Sequence, residues 1–70
     1  MERIVTDPAI MAGKPTIRGT RIPVSLVLKR LAQDMEVKAL FASYPHLTME
    51  DVRACLEYAY QMLEVEDGGL

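Results

Sequence analysis

The chain has 70 residues, of which 50% are hydrophobic and 26% are charged, a composition typical of a globular protein. Its single cysteine excludes an internal disulfide, and no apolar run approaches the length of a membrane-spanning helix. We therefore expect one cytoplasmic domain over residues 1–70, with no signal peptide and no membrane contact. Because so small a core supplies only roughly 3–5 kcal/mol, we also expect a homodimer or higher oligomer.

Charge is distributed unevenly along the chain, although the formal net charge is only −2. Residues 3–30 contain six basic side chains and one acidic side chain, which gives +5. Residues 39–70 contain one basic and six acidic side chains, which gives −5. The basic half suits phosphates or an acidic protein surface. The candidate residues for contacting a partner or DNA are Lys14, Arg18, Arg21, Lys29 and Arg30.

Residues 1–23 are predicted to form an arm that contains a short β-hairpin. Asp7-Pro8, and Gly13 with Pro15, are turn signals. The β-prone segments 16–18 and 20–22 flank Gly19, which tolerates a positive φ, so we expect a tight reversal there. Alternation along the first segment would place Ile17 inward and Arg18 outward. Arg18 and Arg21 would then either reach a partner, brace the hairpin or pair with carboxylates of a neighbouring chain.

A three-helix unit is predicted over residues 24–63, followed by a flexible tail over residues 64–70. The first helix runs from about Val24 to Gln33 after Pro23, and the second from about Glu36 to Ser43 before Pro45. The first helix should bury a stripe at helical spacing: Val24, Val27, Leu28, Leu31 and Met35. Leu26 falls on its polar side, which makes Leu26 the candidate contact between subunits.

The third helix is predicted from about Met49 to Leu63. Thr48 precedes it and Asp51 lies three positions further on, a variant of the capping box. Its expected buried stripe comprises Val52, Cys55, Leu56, Ala59, Met62 and Leu63. Three short helices behind a small β element indicate a mostly α, helix-turn-helix-like fold related to the winged helix.

Two long motifs carry a family resemblance. The run GKPTIRGTRIPV at residues 13–24 and the run YPHLTMEDV at residues 44–52 resemble the signatures of the bacterial family called domain of unknown function 433. With residues 4–10, the resemblance covers residues 3–61. It implies a DNA-binding-like three-helix fold that is usually oligomeric. Members are commonly regarded as VapB-like antitoxins encoded beside a small toxin with a PIN-like ribonuclease fold, so the resemblance also implies such a partner.

The sequence departs from the family pattern between the first two helices. The family usually has Gly where Asp34 stands and a Ser or Thr cap where Glu36 stands. Asp tolerates a left-handed backbone, so we expect Asp34 to end the first helix in that conformation. The loss of the usual cap typically costs about 0.5–2 kcal/mol and should make the second helix less regular.

Candidate catalytic groups are few. His46, the single histidine, falls in a turn, and Cys55 falls on an apolar stripe, where an inert core thiol is expected. One His and one Cys cannot complete a zinc site in a monomer, and the chain contains no phosphate loop or nucleophile elbow. The acids of the third helix should pair with Arg53. We therefore expect no enzymatic activity, no catalytic or metal-binding residues and no cofactor.

Three binding functions remain open. An antitoxin would neutralise a PIN-like toxin and would also repress its own operon. Such nucleases gather carboxylates around a metal, and an inserted Arg or Lys can neutralise the charge of these carboxylates. A stand-alone DNA-binding regulator would contact operator DNA through the same basic residues, since the third helix presents three acids and one base: Glu50, Glu57, Glu64 and Arg53. The third possibility is a structural oligomerisation module.

Overall fold

The computed structural model describes residues 2–67. This part of the chain contains two short strands and three α-helices: β1 (Ile4–Val5), β2 (Thr16–Ile17), α1 (Val24–Gln33), α2 (Val37–Ser43) and α3 (Met49–Asp67). The mostly α, three-helix fold with a short antiparallel sheet near the N-terminus confirms the predicted fold class. No helix in this range is long and apolar enough to cross a membrane.

The sheet pairs different segments from those that the sequence indicated. β1 runs antiparallel to β2, with Ile4 opposite Ile17. The predicted pairing of residues 16–18 with residues 20–22 is reduced to a hydrogen bond from Ile17 N to the Ile22 carbonyl (3.0 Å) and an isolated bridge to Pro23. Pro23 has no N–H and cannot extend a ladder, so the β-branched pair at the start of the chain supplies the partner strand.

The reversal at Gly19 is confirmed. Gly19 has a φ of +78°, and the Thr20 amide and hydroxyl both donate to the Ile17 carbonyl, at 3.0 and 2.7 Å. Ile17 is 2% exposed and Arg18 is exposed, as the alternation predicted. The arm is therefore fixed to the helical unit through Ile17, which belongs to the core. Among residues 2–64, the buried apolar residues are Ile17, Val24, Val27, Leu31, Leu40, Leu47, Val52 and Cys55.

α1 has its predicted bounds, but the prediction that Met35 is buried is wrong, since Met35 is 79% exposed. Asp34 ends the helix in an extended conformation (φ −154°), so the left-handed backbone expected there is also wrong. Its amide donates to the Arg30 carbonyl (2.9 Å), and its Oδ1 accepts from the Glu36 amide (2.9 Å). Once the backbone extends at Asp34, Met35 no longer follows the helical spacing that would bury it.

α2 begins one residue later than predicted because Glu36 is its N-cap. The Glu36 carboxylate accepts a long hydrogen bond (3.5 Å) from the Lys38 amide. This acid thus takes the place of the usual Ser or Thr cap.

The capping box at the start of α3 is confirmed. Thr48 Oγ1 accepts from the Asp51 amide and Asp51 Oδ2 accepts from the Thr48 amide, each at 3.1 Å. The helix continues to Asp67, four residues past the predicted end, because Glu64 and Glu66 are good helix formers and the first glycine comes at 68. The predicted tail therefore loses residues 64–67 to the helix, and residues 68–70 lie outside the described residues.

The second half of α3 extends beyond the core. The prediction that Leu56, Met62 and Leu63 are buried is wrong, since they are 51%, 54% and 64% exposed. α1 has 10 residues and α3 has 19, which correspond to roughly 15 Å and 28 Å of helix. The shorter helix cannot cover the longer one, so part of the apolar stripe of α3 lies in solvent.

Candidate partner-binding surfaces

The five predicted basic residues do not form one surface. Arg21 and Arg30 both adjoin the C-terminal end of α2, Arg18 lies beside the start of the chain, and Lys14 lines a groove between α1 and α3. Lys29 is exposed on α1. The charge excess of the first 30 residues is therefore divided among separate places on the molecule.

Arg21 and Arg30 belong to what we call the basic turn surface, formed by Arg21, Arg30, Ser43, Tyr44 and His46. Arg21 follows the reversal at Gly19 and lines a hollow of about 370 Å³ with Ser43, Tyr44 and His46. Arg30 Nη2 donates to Ser43 Oγ (3.0 Å), and its guanidinium carbon lies 5.9 Å from the centroid of the Tyr44 ring. No acidic residue lines the hollow, so it presents positive charge without local compensation.

Arg18 is engaged within the chain. Its Nε donates to the Glu2 carbonyl at 2.6 Å, and its amide donates to the Arg3 carbonyl at 2.7 Å. It also borders the Arg3–Asp51 ion pair, in which Nη1 lies 3.1 Å from Oδ1. Arg18 thus braces the N-terminal strand, and this fixes its guanidinium near the start of the chain.

Arg3–Asp51 is the only ion pair among residues 2–64, and the sequence did not indicate it. Asp51 is 8% exposed and joins the N-terminal arm to the first turn of α3. The predicted pairing of Arg53 with the acids of α3 is not formed in this range. Arg53, Glu50 and Glu57 are instead exposed on the outer face of the helix.

A groove with a mostly apolar lining, here called the α1–α3 groove, lies between α1 and the second half of α3. It has a volume of about 590 Å³. Helical periodicity did not predict this groove, because the groove depends on the difference in length between α1 and α3. Its lining consists of Lys14, Pro15, Val24, Ser25, Leu28, Tyr58, Ala59, Met62 and Leu63.

Three further candidate residues from the sequence are Leu26, His46 and Cys55. Leu26, the predicted subunit contact, is half-buried on α1 and does not line the groove. His46 is exposed in the turn between α2 and α3. Cys55 is fully buried, and burial, followed by the negative charge of Asp51, raises the pKa of its thiol to about 11. A thiol with this pKa is protonated at neutral pH and is a poor nucleophile.

The fold and these surfaces define a small, mostly α protein with a brief N-terminal sheet. The model of the family described as "Protein of unknown function (DUF433)" matches residues 4–59, and the chain belongs to this family, which confirms the resemblance found in the sequence. A crystal structure of a DUF433 member protein from Anabaena variabilis is similar with a TM-score of 0.83 and 37% identity. The match covers 96% of this chain and 66% of that one.

Two relatives carry no functional name. "Uncharacterized protein y4eO" of Sinorhizobium fredii is 34% identical over 58 residues, which are 83% of this chain and 26% of that protein. An "Uncharacterized protein" of Archaeoglobus fulgidus is 67% identical over 24 residues, 34% of this chain and 67% of that protein. The chain thus spans about a quarter of the length of the Sinorhizobium relative and just under two thirds of the solved Anabaena chain.

Proposed function

We propose that this chain is an antitoxin-like binding module that neutralises a PIN-like ribonuclease and represses its own operon. The observation that carries the proposal is the basic turn surface, where Arg21 lines a hollow without acidic residues and Arg30 donates to Ser43, which also lines it. The family resemblance supplies the expected partner, a nuclease that holds a metal with several carboxylates. The carboxylates of such a partner would present negative charge to this positively charged surface.

Arg21 is the residue best placed to enter a carboxylate cluster. Its side chain is exposed and makes no hydrogen bond or ion pair within residues 2–64. A guanidinium donates two parallel hydrogen bonds to one carboxylate and stays charged at any physiological pH. Arg30 adds a second cation on the same surface, oriented by its hydrogen bond to Ser43 and by the Tyr44 ring. Together they would oppose metal binding by the nuclease and close its active site.

A stand-alone DNA-binding regulator is the second candidate, because the same cationic surface also suits phosphates. The charge on the outer face of α3 argues against DNA binding by this helix. The exposed residues there include three acids and one base: Glu50, Glu57, Glu64 and Arg53. A helix with this charge is repelled by the major groove. DNA contact would fall to the basic turn surface and Lys29, and binding would weaken steeply as salt is raised. If the chain were a structural oligomerisation module, we would expect it to bind neither a nuclease nor DNA.

The test is inhibition of the PIN-like nuclease encoded beside this chain's gene, measured as RNA cleavage against antitoxin concentration. Arg21→Glu should raise the inhibitory concentration at least tenfold, because losing a close charge pair at an interface costs about 2–5 kcal/mol. Arg53→Glu makes the same change on the outer face of α3 and should leave inhibition intact. Arg18→Glu should have an intermediate effect, because Arg18 is already bonded to the Glu2 carbonyl.

Circular dichroism and urea unfolding establish that each variant is folded. Equal inhibition by the wild type and a folded Arg21→Glu variant would refute the proposed role of the basic turn surface. Loss of inhibition with Arg53→Glu as well would assign the effect to net charge and not to a docking surface.

A further inference from the structure

We propose that the open edge of β1 is a docking site for an extended segment of another protein, which adds to the sheet as a third, antiparallel strand. The residue of that segment opposite Ile4 carries an apolar side chain, and its neighbours along the segment carry uncharged polar side chains. This proposal does not depend on the proposed function, because no residue of the basic turn surface lines the hollow beside β1.

The backbone of Ile4 points away from β2. The Arg18 amide donates to the Arg3 carbonyl (2.7 Å), and these two residues stand one step along the ladder from the Ile4–Ile17 pair. Hydrogen-bonded and non-hydrogen-bonded pairs alternate in an antiparallel ladder, so Ile4 and Ile17 form a non-hydrogen-bonded pair. The Ile17 amide agrees with this, since it donates to the Ile22 carbonyl on the other side of β2 (3.0 Å). The Ile4 amide and carbonyl therefore face the edge of β1 that has no neighbouring strand.

Thr6 extends this edge by one more amide. It lies two positions after Ile4, so in an extended chain its amide and carbonyl are on the same side as those of Ile4. Neither group makes a hydrogen bond within the part of the chain that the structure describes, and Thr6 is exposed. Unpaired backbone groups in a row on a sheet edge are a template for an added strand.

A hollow of about 400 Å³ beside β1 gives such a strand its room. Ile4 lines one side of the hollow, and Ala54 and Tyr58 of α3 line the other; all three are half-buried. Residues directly opposite each other on neighbouring strands place their side chains on the same face of the sheet. The residue opposite Ile4 therefore points over Ala54 and Tyr58. An apolar side chain in this position is removed from water, which adds to the few hydrogen bonds that so short an edge provides.

The charges around the hollow favour an uncharged segment. Glu2 and Glu57 line it together with Arg3. Arg53 and Glu50 adjoin Arg3 and Glu57 in the neighbouring hollow. A charged side chain of either sign would thus lie near a like charge, which is unfavourable at an interface.

Amide hydrogen exchange of the full chain, followed by NMR with and without a capped hexapeptide of alternating threonine and valine, provides the test. In the free chain the Ile4 and Thr6 amides should exchange roughly tenfold faster than the Val5 amide, because Val5 faces β2. Saturating peptide should slow the exchange of the Ile4 and Thr6 amides about tenfold and leave that of Val5 unchanged.

Two N-methylated peptides of the same sequence are matched controls. When a valine lies opposite Ile4, the valine amides face β1, so methylating them should abolish the protection. The threonine amides lie on the outer edge of the added strand, so methylating them should leave the protection unchanged.

Two variants at Thr6 test the edge from the side of the chain. Thr6→Pro removes an amide that makes no hydrogen bond within the described residues, a position at which a strand tolerates proline. It should raise the dissociation constant of the peptide about fivefold, from the loss of one hydrogen bond, and leave the urea midpoint unchanged. Thr6→Ala keeps the amide and should leave the dissociation constant unchanged. If Thr6→Pro alters the urea midpoint, the two methylated peptides decide.

Four results would overturn the proposal. An Ile4 amide that exchanges as slowly as that of Val5 in the free chain would show that the edge is closed. Exchange rates that the peptide leaves unchanged at millimolar concentration would show that no strand is added. Equal protection by both methylated peptides would exclude pairing through the backbone. Protection that grows with chain concentration in the absence of peptide would assign the edge to a second copy of this chain.

Discussion

Replacing Asp51 by alanine removes a helix cap and the link between the N-terminal arm and α3 in one step. The Asp51 carboxylate accepts from the Thr48 amide through Oδ2 and from Arg3 Nη1 through Oδ1, each at 3.1 Å. Asp51 is 8% exposed, so the substitution removes a largely buried carboxylate together with both of its contacts. The variant therefore measures how firmly the arm is held on the helical unit.

The expected loss follows from the two contacts. Loss of a capping side chain costs about 0.5–2 kcal/mol, and an ion pair whose Arg3 side chain is half exposed contributes about 0.2–1 kcal/mol. We therefore expect Asp51→Ala to lower the free energy of unfolding by about 2 kcal/mol, a large share of what a domain of this size has. With a urea dependence of about 1 kcal/mol per molar, the unfolding midpoint should fall by about 2 M.

The assay is urea unfolding followed by circular dichroism at constant protein concentration. Asp51→Asn keeps an oxygen for the Thr48 amide and removes the charge, so it should lose only the smaller, ion-pair part. Glu50→Ala changes the exposed neighbouring acid and should stay within about 0.5 kcal/mol of the wild type. If Asp51→Ala shifted the midpoint no more than Glu50→Ala, the reasoning that joins arm and helix through this carboxylate would be refuted.

Three further perturbations test the fold. The pKa of the Cys55 thiol is about 11 in the folded protein, compared with an ordinary value of 9.0. Between these two pH values the native thiol keeps its proton while the unfolded thiol loses it. The free energy of unfolding should therefore fall between pH 9 and 11, by up to about 1.4 kcal/mol per pH unit. A Cys55→Ala variant measured in parallel should lack this component of the slope, and identical profiles would contradict it. Gly19→Ala should lower the free energy of unfolding in urea by about 1 kcal/mol, because alanine is strained at a φ of +78°. No clash adds to this cost, since no atom lies within 4 Å of the added Cβ. An unchanged urea midpoint would contradict the assigned backbone conformation at Gly19. Leu40→Ala should cost about 2–5 kcal/mol in thermal unfolding and Met35→Ala less than about 0.5, because Leu40 is buried and Met35 is not; equal losses would contradict the assigned core.

The local features of the fold were predictable from the sequence. Helical spacing gave the bounds of α1, and the Thr48–Asp51 pair indicated the reciprocal cap that begins α3. Gly19 indicated a positive φ, which the structure has. Each of these depends on residues within four positions of one another, so local physical chemistry decides it.

The features that depend on distant partners were not predictable. Strand pairing joined β2 to β1, and nothing in the β-prone triplets distinguished that partner from the nearer segment. Periodicity showed that α3 has an apolar stripe but not that α1 is too short to cover Met62 and Leu63.

The candidate binding surfaces show the same limit. Composition identified the basic side chains. Only the fold places Arg21 and Arg30 near Ser43 and Tyr44. The hydrogen bond from Arg18 to the Glu2 carbonyl likewise depends on the fold. The number of positive charges is a property of the sequence, but their grouping depends on the tertiary structure.

Binding of a nuclease through the basic turn surface is tested most directly by a pull-down. The tagged protein is recovered from its native host, and the proteins that come with it are identified by mass spectrometry. The wild type and the Arg53→Glu control should recover one small protein with a PIN-like carboxylate cluster in near-equal amount, and Arg21→Glu should not. Recovery of the tagged chain alone, or of the same partner in undiminished amount with a folded Arg21→Glu variant, would contradict the claim.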